Sequence, residues 1–174
     1  MRLRVEAERE LYRGRVIRLV ERKFVLPNGR RTTFGIIEHP GAVAVVPIFE
    51  NGDVLLIKQF RPSIGKEIYE IPAGTLEPGE KPLATAKREI VEETGFKAKR
   101  WRKLTSFYTA PGFCTEMIHV YEARGLSPAQ APGDDDEILR PVRVPMKEAL
   151  SYIKRGKIRD AKSIAGLLVL RHGR

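Results

Sequence analysis

Residues 74–96 have the sequence GTLEPGEKPLATAKREIVEETGF, and this segment decides the interpretation of the whole chain. Its central part, residues 82–94, predicts a helix. Pro82 is tolerated in a first helical turn, and Gly95 suits the left-handed residue that follows a last turn. The stretch before the helix is rich in glycine and proline, which predicts a loop. Loop, helix and Gly95 therefore form one continuous unit.

The predicted helix concentrates acidic side chains on one face. On a wheel at about 100° per residue, the apolar stripe consists of Leu83, Ala86 and Ile90. The adjacent face carries Glu89, Glu92 and Glu93, whose mutual repulsion costs the helix on the order of a few tenths of a kcal/mol per pair. Arg88 can pair with Glu92, which leaves Glu89 and Glu93 without an obvious basic partner. A divalent cation such as Mg²⁺ would satisfy both, and an ordinary acidic surface is the alternative.

The fixed positions of this segment have a specific spacing. They run Gly74, five residues, Glu80, seven residues, Arg88-Glu89-Ile90, one residue, Glu92-Glu93, one residue and Gly95-Phe96. This pattern resembles the Nudix box at every fixed position. The resemblance implies a Nudix hydrolase of the α/β class, an α/β/α sandwich with a mixed sheet. Such an enzyme cleaves a nucleoside diphosphate linked to another group, with a divalent metal.

The resemblance also implies roles for the residues of the box. The implied metal ligands are Glu89, Glu93 and the main-chain carbonyl of Ala73. Glu92 would assist, Arg88 would orient the glutamates, and Glu80 would steady the loop. The implied metal is Mg²⁺, with Mn²⁺ as an alternative. Such an ion neutralises the pyrophosphate and activates water, while the protein supplies the geometry.

A second motif lies after the box. Residues 107–112 have the sequence FYTAPG, which places Pro111 sixteen residues after Gly95. This arrangement resembles the ADP-ribose pyrophosphatase subgroup, in which a proline near this position marks substrate choice, although a Pro-Gly pair alone is only a turn. The implied reaction is the hydrolysis of ADP-ribose to AMP and ribose 5-phosphate. The alternatives are another nucleotide sugar or dinucleotide, namely an ADP-sugar, GDP-mannose or NADH.

Further site residues follow from the resemblance to this subgroup. Besides Pro111 and Gly112, Arg61 would hold a phosphate, for which a planar guanidinium is well suited, and Glu116 would lie in a substrate loop. Surface charges at strand ends are the alternative for both. In the acidic loop of residues 134–137, Glu137 would be the general base. Asp136 or Asp135 could hold that role instead, because insertions are easy in loops.

Residues 1–40 predict an antiparallel β ribbon before a Nudix domain of residues 41–174. Strands at residues 13–22 and 31–38 are joined through Asn28-Gly29, a strong hairpin signal. In the resembled subgroup this ribbon is exchanged between subunits, which implies a homodimer in which Tyr12, Arg30 and Arg31 are candidate substrate contacts. Tyr12 would stack on adenine, or it would pack in a core as aromatic strand residues commonly do.

The rest of the chain predicts one compact α/β unit. The remaining predicted strands are residues 41–49, 54–59, 104–108, 116–123 and 142–144, and two closing helices are predicted at residues 145–155 and 161–170.

Composition excludes several classes of protein. The apolar stretch of residues 41–49 is far shorter than the roughly 18 residues that a membrane-spanning helix needs. The one cysteine, Cys114, provides neither an intrachain disulfide nor a cysteine cluster for zinc. The N-terminus, MRLRVEAERE, carries charges where a secretory signal is apolar, so a cytoplasmic protein is expected.

Charge indicates the chemistry of the partner. With 32 basic and 22 acidic residues, the net charge is +10, which favours anionic ligands. A small nucleoside diphosphate is the expected substrate. The remote alternative is a nucleic-acid-binding protein or an RNA-end hydrolase, although the sequence lacks the alternation of aromatic and basic residues that binds single strands.

Overall fold

The computed structural model describes residues 3–130 and 139–173. The helices and strands are β1 (Arg4–Arg13), β2 (Arg18–Val25), β3 (Arg31–Glu38), β4 (Ala42–Ile48), β5 (Asp53–Arg61), β6 (Lys66–Glu70), β7 (Ala73–Thr75), α1 (Pro82–Thr94), β8 (Phe96–Tyr108), β9 (Met117–Pro128), β10 (Leu139–Pro145), α2 (Met146–Lys154) and α3 (Ala161–His172). The chain forms two compact units, Met1–Gly41 with Phe107–Met117 and Ala42–Ser106 with Ile118–Arg174.

The first unit contains an antiparallel sheet in the order β1-β2-β3. The predicted hairpin between β2 and β3 is confirmed: Gly29 has φ 80°, and Asn28 Oδ1 accepts the N–H of Arg30 at 3.1 Å. The strand predicted at residues 13–22 is wrong in its bounds, because β1 already ends at Arg13. All ten residues of β1 are exposed, so the strand lacks the apolar alternation that sequence patterns detect.

The loop that carries Pro111 is bonded to the end of β3 within the first unit. Ile37 donates its N–H to the carbonyl of Phe113 at 2.7 Å, and its own carbonyl accepts the N–H of Thr115 at 2.9 Å. The Thr115 hydroxyl oxygen accepts the N–H of His39 at 2.9 Å. These bonds fix the Pro111 loop to the sheet of its own unit.

The second unit contains a mixed sheet. Its strands follow the order β10-β5-β4-β9-β8, with β6 paired to β5 and β7 paired to β4. Strands β4 and β9 are parallel, whereas β5 is antiparallel to β4, β6 and β10. The short strands β6 and β7, which the sequence pattern did not predict, bring the start of the acidic segment onto this sheet.

Helices cover both faces of β4, all of whose residues are buried. Val43 and Val45 belong to a core cluster with Ala86 and Ile90 of α1. The alternate residue Val46 lies against α3, where a Cβ atom on Gly166 would come within 3.1 Å of its side chain. Because successive strand residues point to opposite faces, α1 and α3 lie on opposite sides of the sheet. The predicted α/β/α sandwich with a mixed sheet is confirmed.

The predicted helix bounds agree well with the structure, and one face assignment does not. Helix α1 begins and ends at the predicted residues, Pro82 and Thr94, but Leu83 is 36% exposed whereas Thr85 is fully buried. The buried face of α1 includes Glu93, because the carboxylate of that residue bonds to the main chain of β7. In the strand after the helix, β8 begins at Phe96 rather than at the predicted residue 104, because charged side chains hide its alternation.

Within the described residues, no helix combines the length and the apolar character needed to cross a membrane.

Candidate active site

The acidic helix α1 is held at its end by the predicted glycine. Gly95 adopts φ 69°, and its N–H donates to the carbonyl of Val91. This left-handed conformation is one that glycine adopts without steric cost, so the chain can leave the helix directly into β8. The last turn of α1, which carries Glu92 and Glu93, therefore has a defined orientation.

Glu93 connects that last turn to β7. Its side chain is buried, and Oε2 accepts the N–H of Ala73 at 2.8 Å. A charged carboxylate is stabilised by a main-chain donor of this kind. The structure thus brings together Glu93 and Ala73, two of the three predicted metal ligands.

The third predicted ligand, Glu89, lies against Gly74. A Cβ atom at residue 74 would be 1.9 Å from both the carboxyl carbon and Oε1 of Glu89. No side chain fits at that distance, so only glycine allows the carboxylate to approach the main chain. Glu89 is 13% exposed in this position. The glycine of the box therefore acts by leaving space for an acid.

One arginine contacts three glutamates of the box. Arg88 Nη1 lies 2.9 Å from Oε1 of Glu89 and 2.8 Å from Oε2 of Glu92, and Nη2 lies 3.2 Å from Oε2 of Glu80. The hydrogen bond from Arg88 lowers the pKa of Glu80 below its ordinary value. The expectation that Glu89 has no basic partner is wrong, because the side chain of Arg88 reaches its neighbour as well as Glu92.

A divalent metal fits the chemistry of these donors. Within residues 3–130 and 139–173, no three histidine, cysteine, aspartate or glutamate side chains form a ready-made metal cluster. Mg²⁺ does not need one, since it commonly takes one or two carboxylates and fills its other positions with water and substrate phosphate. Glu93 supplies a carboxylate at the N–H of Ala73, and the space beside Gly74 allows the carboxylate of Glu89 to approach the adjacent residue of the same main chain.

The predicted general base, Glu137, and its alternatives Asp136 and Asp135 lie outside the described residues.

The predicted phosphate-binding residue of the second unit has a buried partner. Arg61, at the end of β5, donates from Nε and Nη2 to the two carboxylate oxygens of Glu70 at 2.7 and 2.8 Å. Sequence reasoning did not single out Glu70. The available signal was an acid directly after Ile68-Tyr69 and before Ile71, in a segment otherwise apolar enough to be buried.

The other predicted substrate residues lie in the first unit. Pro111 and Gly112 form part of a turn, and Glu116 Oε1 lies 3.6 Å from Nε2 of His39. In the three-stranded sheet, Tyr12 is exposed, and Arg31 pairs with Glu6 at 2.9 Å. The structure thus groups the loop residues with one another and places Tyr12 and Arg31 on one sheet.

Comparison with known proteins identifies a family to which the chain is similar. Residues 38–167 match the model of the NUDIX domain. The chain is 42% identical to an ADP-ribose pyrophosphatase of Bacillus subtilis (strain 168), covering 90% of this chain and 86% of that protein. It is also 42% identical to a methanol dehydrogenase activator of Bacillus methanolicus, covering 92% and 88% respectively.

A solved structure agrees with the fold. The crystal structure of an ADP compounds hydrolase superposes with a TM-score of 0.87 at 23% identity and covers 99% of this chain and 94% of that one. The matched NUDIX region includes the whole acidic segment of residues 74–96. With the acidic helix, the glycine beside Glu89 and the extent of these matches, the chain belongs to the NUDIX family.

Proposed function

We propose that this protein is a Nudix hydrolase that splits the pyrophosphate of ADP-ribose into AMP and ribose 5-phosphate. The observation that carries this proposal is the packing of Glu89 and Glu93 around the Ala73–Gly74 main chain. The choice of ADP-ribose is supported by the 42% identity to an ADP-ribose pyrophosphatase over 90% of the chain.

The residues of the box divide the work of catalysis. Glu89 and Glu93 would hold the divalent metal together with the Ala73 carbonyl, and Mg²⁺ is the proposed ion with Mn²⁺ as the alternative. When bound, such an ion neutralises the pyrophosphate and makes water more acidic. Arg88 keeps Glu89 and Glu92 in fixed orientations, and its pairing with Glu80 steadies the loop before α1.

Substrate recognition is assigned to residues outside the box. Arg61 contacts a phosphate, since a guanidinium forms paired hydrogen bonds with phosphate oxygens. Pro111, Gly112 and Glu116 form the loop that meets the substrate, and its hydrogen bonds to β3 support a fixed shape. Tyr12 and Arg31 are proposed contacts for the adenosine end.

Glu137 is the proposed general base. Replacing it with Gln is expected to lower kcat much more than it changes KM, because a base acts on the reaction rather than on binding. Asp136→Asn is the matched comparison. If the Asp136 variant loses turnover and the Glu137 variant does not, the base is Asp136.

The N-terminal ribbon of residues 1–40 is proposed to join two copies of the chain in a homodimer that acts in the cytoplasm. Support for dimer formation comes from the large apolar side chains that the described part of the ribbon, residues 3–40, exposes. These are Leu3, Val5, Leu11, Tyr12, Val16, Ile17 and Phe34. Sedimentation at micromolar concentration measures the oligomeric state, and a monomer would contradict the proposal.

A substrate panel tests the choice of ADP-ribose. The rates of hydrolysis of ADP-ribose, ADP-glucose, GDP-mannose, NADH and capped RNA are compared with Mg²⁺ present. We expect ADP-ribose to lead by about tenfold, a difference of roughly 1.4 kcal/mol in transition-state binding. Another leading substrate would keep the assignments of Glu89 and Glu93 and reject those of Pro111 and Glu116.

A second candidate function comes from the equally similar relative, which is named as a methanol dehydrogenase activator. Its support is the same 42% identity over 92% of this chain. Addition of the protein to a methanol dehydrogenase assay tests it. An increased rate with wild type and none with Glu93→Gln would show that activation depends on the same acidic site.

A further inference from the structure

A buried carboxylate lies behind the proposed phosphate-binding arginine. Glu70, the last residue of β6, is 1% exposed, whereas Arg61 is 36% exposed. Their two parallel hydrogen bonds use Nε and Nη2 of the guanidinium. A bond pair of this kind fixes the plane of the guanidinium as well as its distance. Arg61 is therefore oriented by a side chain that solvent hardly reaches.

A second cation contacts the same carboxylate. Lys162, in the first turn of α3, donates from Nζ to Glu70 Oε2 and to Asp160 Oδ1. Asp160 in turn caps α3 by accepting the N–H of Ser163 at 3.0 Å. Burial alone would raise the pKa of Glu70, but Arg61 and Lys162 hold that pKa below its ordinary value. The carboxylate is thus charged and tied to the start of a helix.

The same helical turn also holds the main chain that leads to the box. The Oγ atom of Ser163, which is fully buried, accepts the N–H of Ile71 at 2.8 Å. Ile71 follows Glu70 directly and precedes Ala73 by two residues. Because three residues span at most about 11 Å, Glu70 lies close to the proposed metal-binding main chain. The first turn of α3 therefore contacts both Glu70, which orients Arg61, and the main chain that leads to the box.

Arg61 and Glu70 line an open groove of about 970 Å³ within the second unit. Its walls also include Lys66, Tyr69, Lys157 and Arg159. Cavities of about 300 to 1,000 Å³ accommodate small ligands. Six of the fourteen wall residues are basic and three are acidic, and this excess of positive charge favours an anionic ligand. The oriented guanidinium thus borders a space that can take part of a phosphate ester.

We propose that Glu70 is a positioning residue, which orients the Arg61 guanidinium for a substrate phosphate and is itself held by Lys162. This inference rests on the proposed function, in which Arg61 contacts the diphosphate. Glu70 touches Arg61 and not the substrate. An oriented arginine binds the phosphate both before and during the reaction, so loss of its orientation raises KM more than it lowers kcat.

Glu122 on β9 provides a matched control. It is also buried, and its carboxylate accepts hydrogen bonds from Arg102 Nε at 2.7 Å and from Arg124 Nε at 2.6 Å. Glu122 does not line the groove that contains Arg61. Glu122→Gln therefore reports the general cost of removing a buried charge from between two cations in the same unit.

Steady-state kinetics on ADP-ribose with Mg²⁺ test the proposal. Glu70→Gln is expected to raise KM about tenfold and to change kcat less than about threefold. In an Arg61→Lys background, Glu70→Gln is expected to change KM less than about twofold, because it acts through Arg61. Glu122→Gln should leave KM unchanged. An unchanged KM in Glu70→Gln, or the same increase in both backgrounds, would overturn the positioning role.

A binding measurement separates this proposal from the proposed function. If the wild type does not hydrolyse ADP-ribose, the proposed function fails. Calorimetry with inorganic pyrophosphate and Mg²⁺ still tests the positioning role. That role requires Glu70→Gln to raise the Kd for pyrophosphate about tenfold. An unchanged Kd would overturn it.

A second variant covers the case in which Glu70→Gln does not fold. Lys162→Gln keeps both Arg61 and Glu70, and it is expected to raise KM about threefold only when Arg61 is present. An unchanged KM in Lys162→Gln would overturn the proposal.

Discussion

Arginine–glutamate ion pairs occur in two regions of this molecule, and they differ in how far the side chains are shielded from solvent. In the N-terminal sheet of β1, β2 and β3, the pairs at the edge are solvent-exposed, as between Arg13, 64% exposed, and Glu10, whereas Arg18 and Arg22 share the half-buried Glu38. In α1, Arg88 is 30% exposed and contacts Glu80, Glu92 and Glu89, of which Glu89 lies against the main chain at Gly74. Exposed pairs gain little because water and salt screen them. Charge density therefore does not locate the chemistry, whereas carboxylates packed against the backbone do.

The largest expected effect comes from a variant in the acidic site of α1. Glu93→Gln should lower kcat for ADP-ribose by at least about a hundredfold, because it removes a charged metal ligand. The fold should persist, since the amide oxygen can still accept the N–H of Ala73. Rates and circular dichroism measure both properties. Glu21→Gln in the N-terminal sheet, where Glu21 pairs with Arg9, is the control and should keep the wild-type rate; a wild-type rate in Glu93→Gln as well would refute the metal-site assignment.

Gly74→Ala should have the next largest effect. The new Cβ atom would overlap the carboxyl group of Glu89 at 1.9 Å and push it away from the main chain at residue 74. We expect kcat to fall by roughly tenfold to a hundredfold, as happens when a catalytic group is misplaced by about 1 Å.

Gly35→Ala on β3 is the control for this glycine. A Cβ atom there would meet no other atom within 4 Å. If both alanine variants kept full activity, the close approach of Glu89 to residue 74 would not matter for catalysis.

Acid should weaken the cluster around Arg88. The pKa of Glu80 lies below its ordinary value of 4.5 because Arg88 donates a hydrogen bond to its carboxylate. Its stabilising contribution is therefore present above about pH 4.5 and is lost as the pH falls through the lower, folded-state pKa. Denaturant unfolding of wild type and Glu80→Gln measures it. The difference in the free energy of unfolding should shrink as the pH decreases from 7 to 3, and a constant difference would contradict the pairing.

The smallest effect is expected in the N-terminal sheet. Arg13→Gln should leave the melting temperature within about 2 °C of wild type, because an exposed ion pair contributes little to stability. Thermal unfolding followed by circular dichroism measures this change. A much lower melting temperature would mean that exposed pairs in this sheet stabilise the fold as strongly as the buried network does.

Local patterns predicted helix α1 and the Asn28-Gly29 hairpin correctly, since each depends on neighbouring residues. Strand β7 was not predicted, because its three residues become a strand only through pairing with β4. Similarly, the burial of Glu93 depends on the N–H of Ala73, twenty residues away. Such contacts leave no periodic signal in the sequence.

In the candidate active site, too, local sequence predicted some features and contacts between distant residues determined others. Spacing in residues 74–96 identified its acids, yet the contact between Arg88 and Glu89 depends on side-chain conformation. The pairing of Arg61 with Glu70 joins two neighbouring strands whose register places Arg61 opposite Lys66 and Glu70 opposite Ile57, so this contact also depends on side-chain conformation.

The most direct test of the central claim is the rate of AMP release from ADP-ribose by the wild-type protein, with Mg²⁺ and then with excess chelator. We expect stoichiometric AMP and ribose 5-phosphate with Mg²⁺, and loss of nearly all activity with chelator. Undiminished hydrolysis in chelator, or no AMP at all with Mg²⁺, would contradict the claim that Glu89 and Glu93 form a metal-dependent pyrophosphatase site.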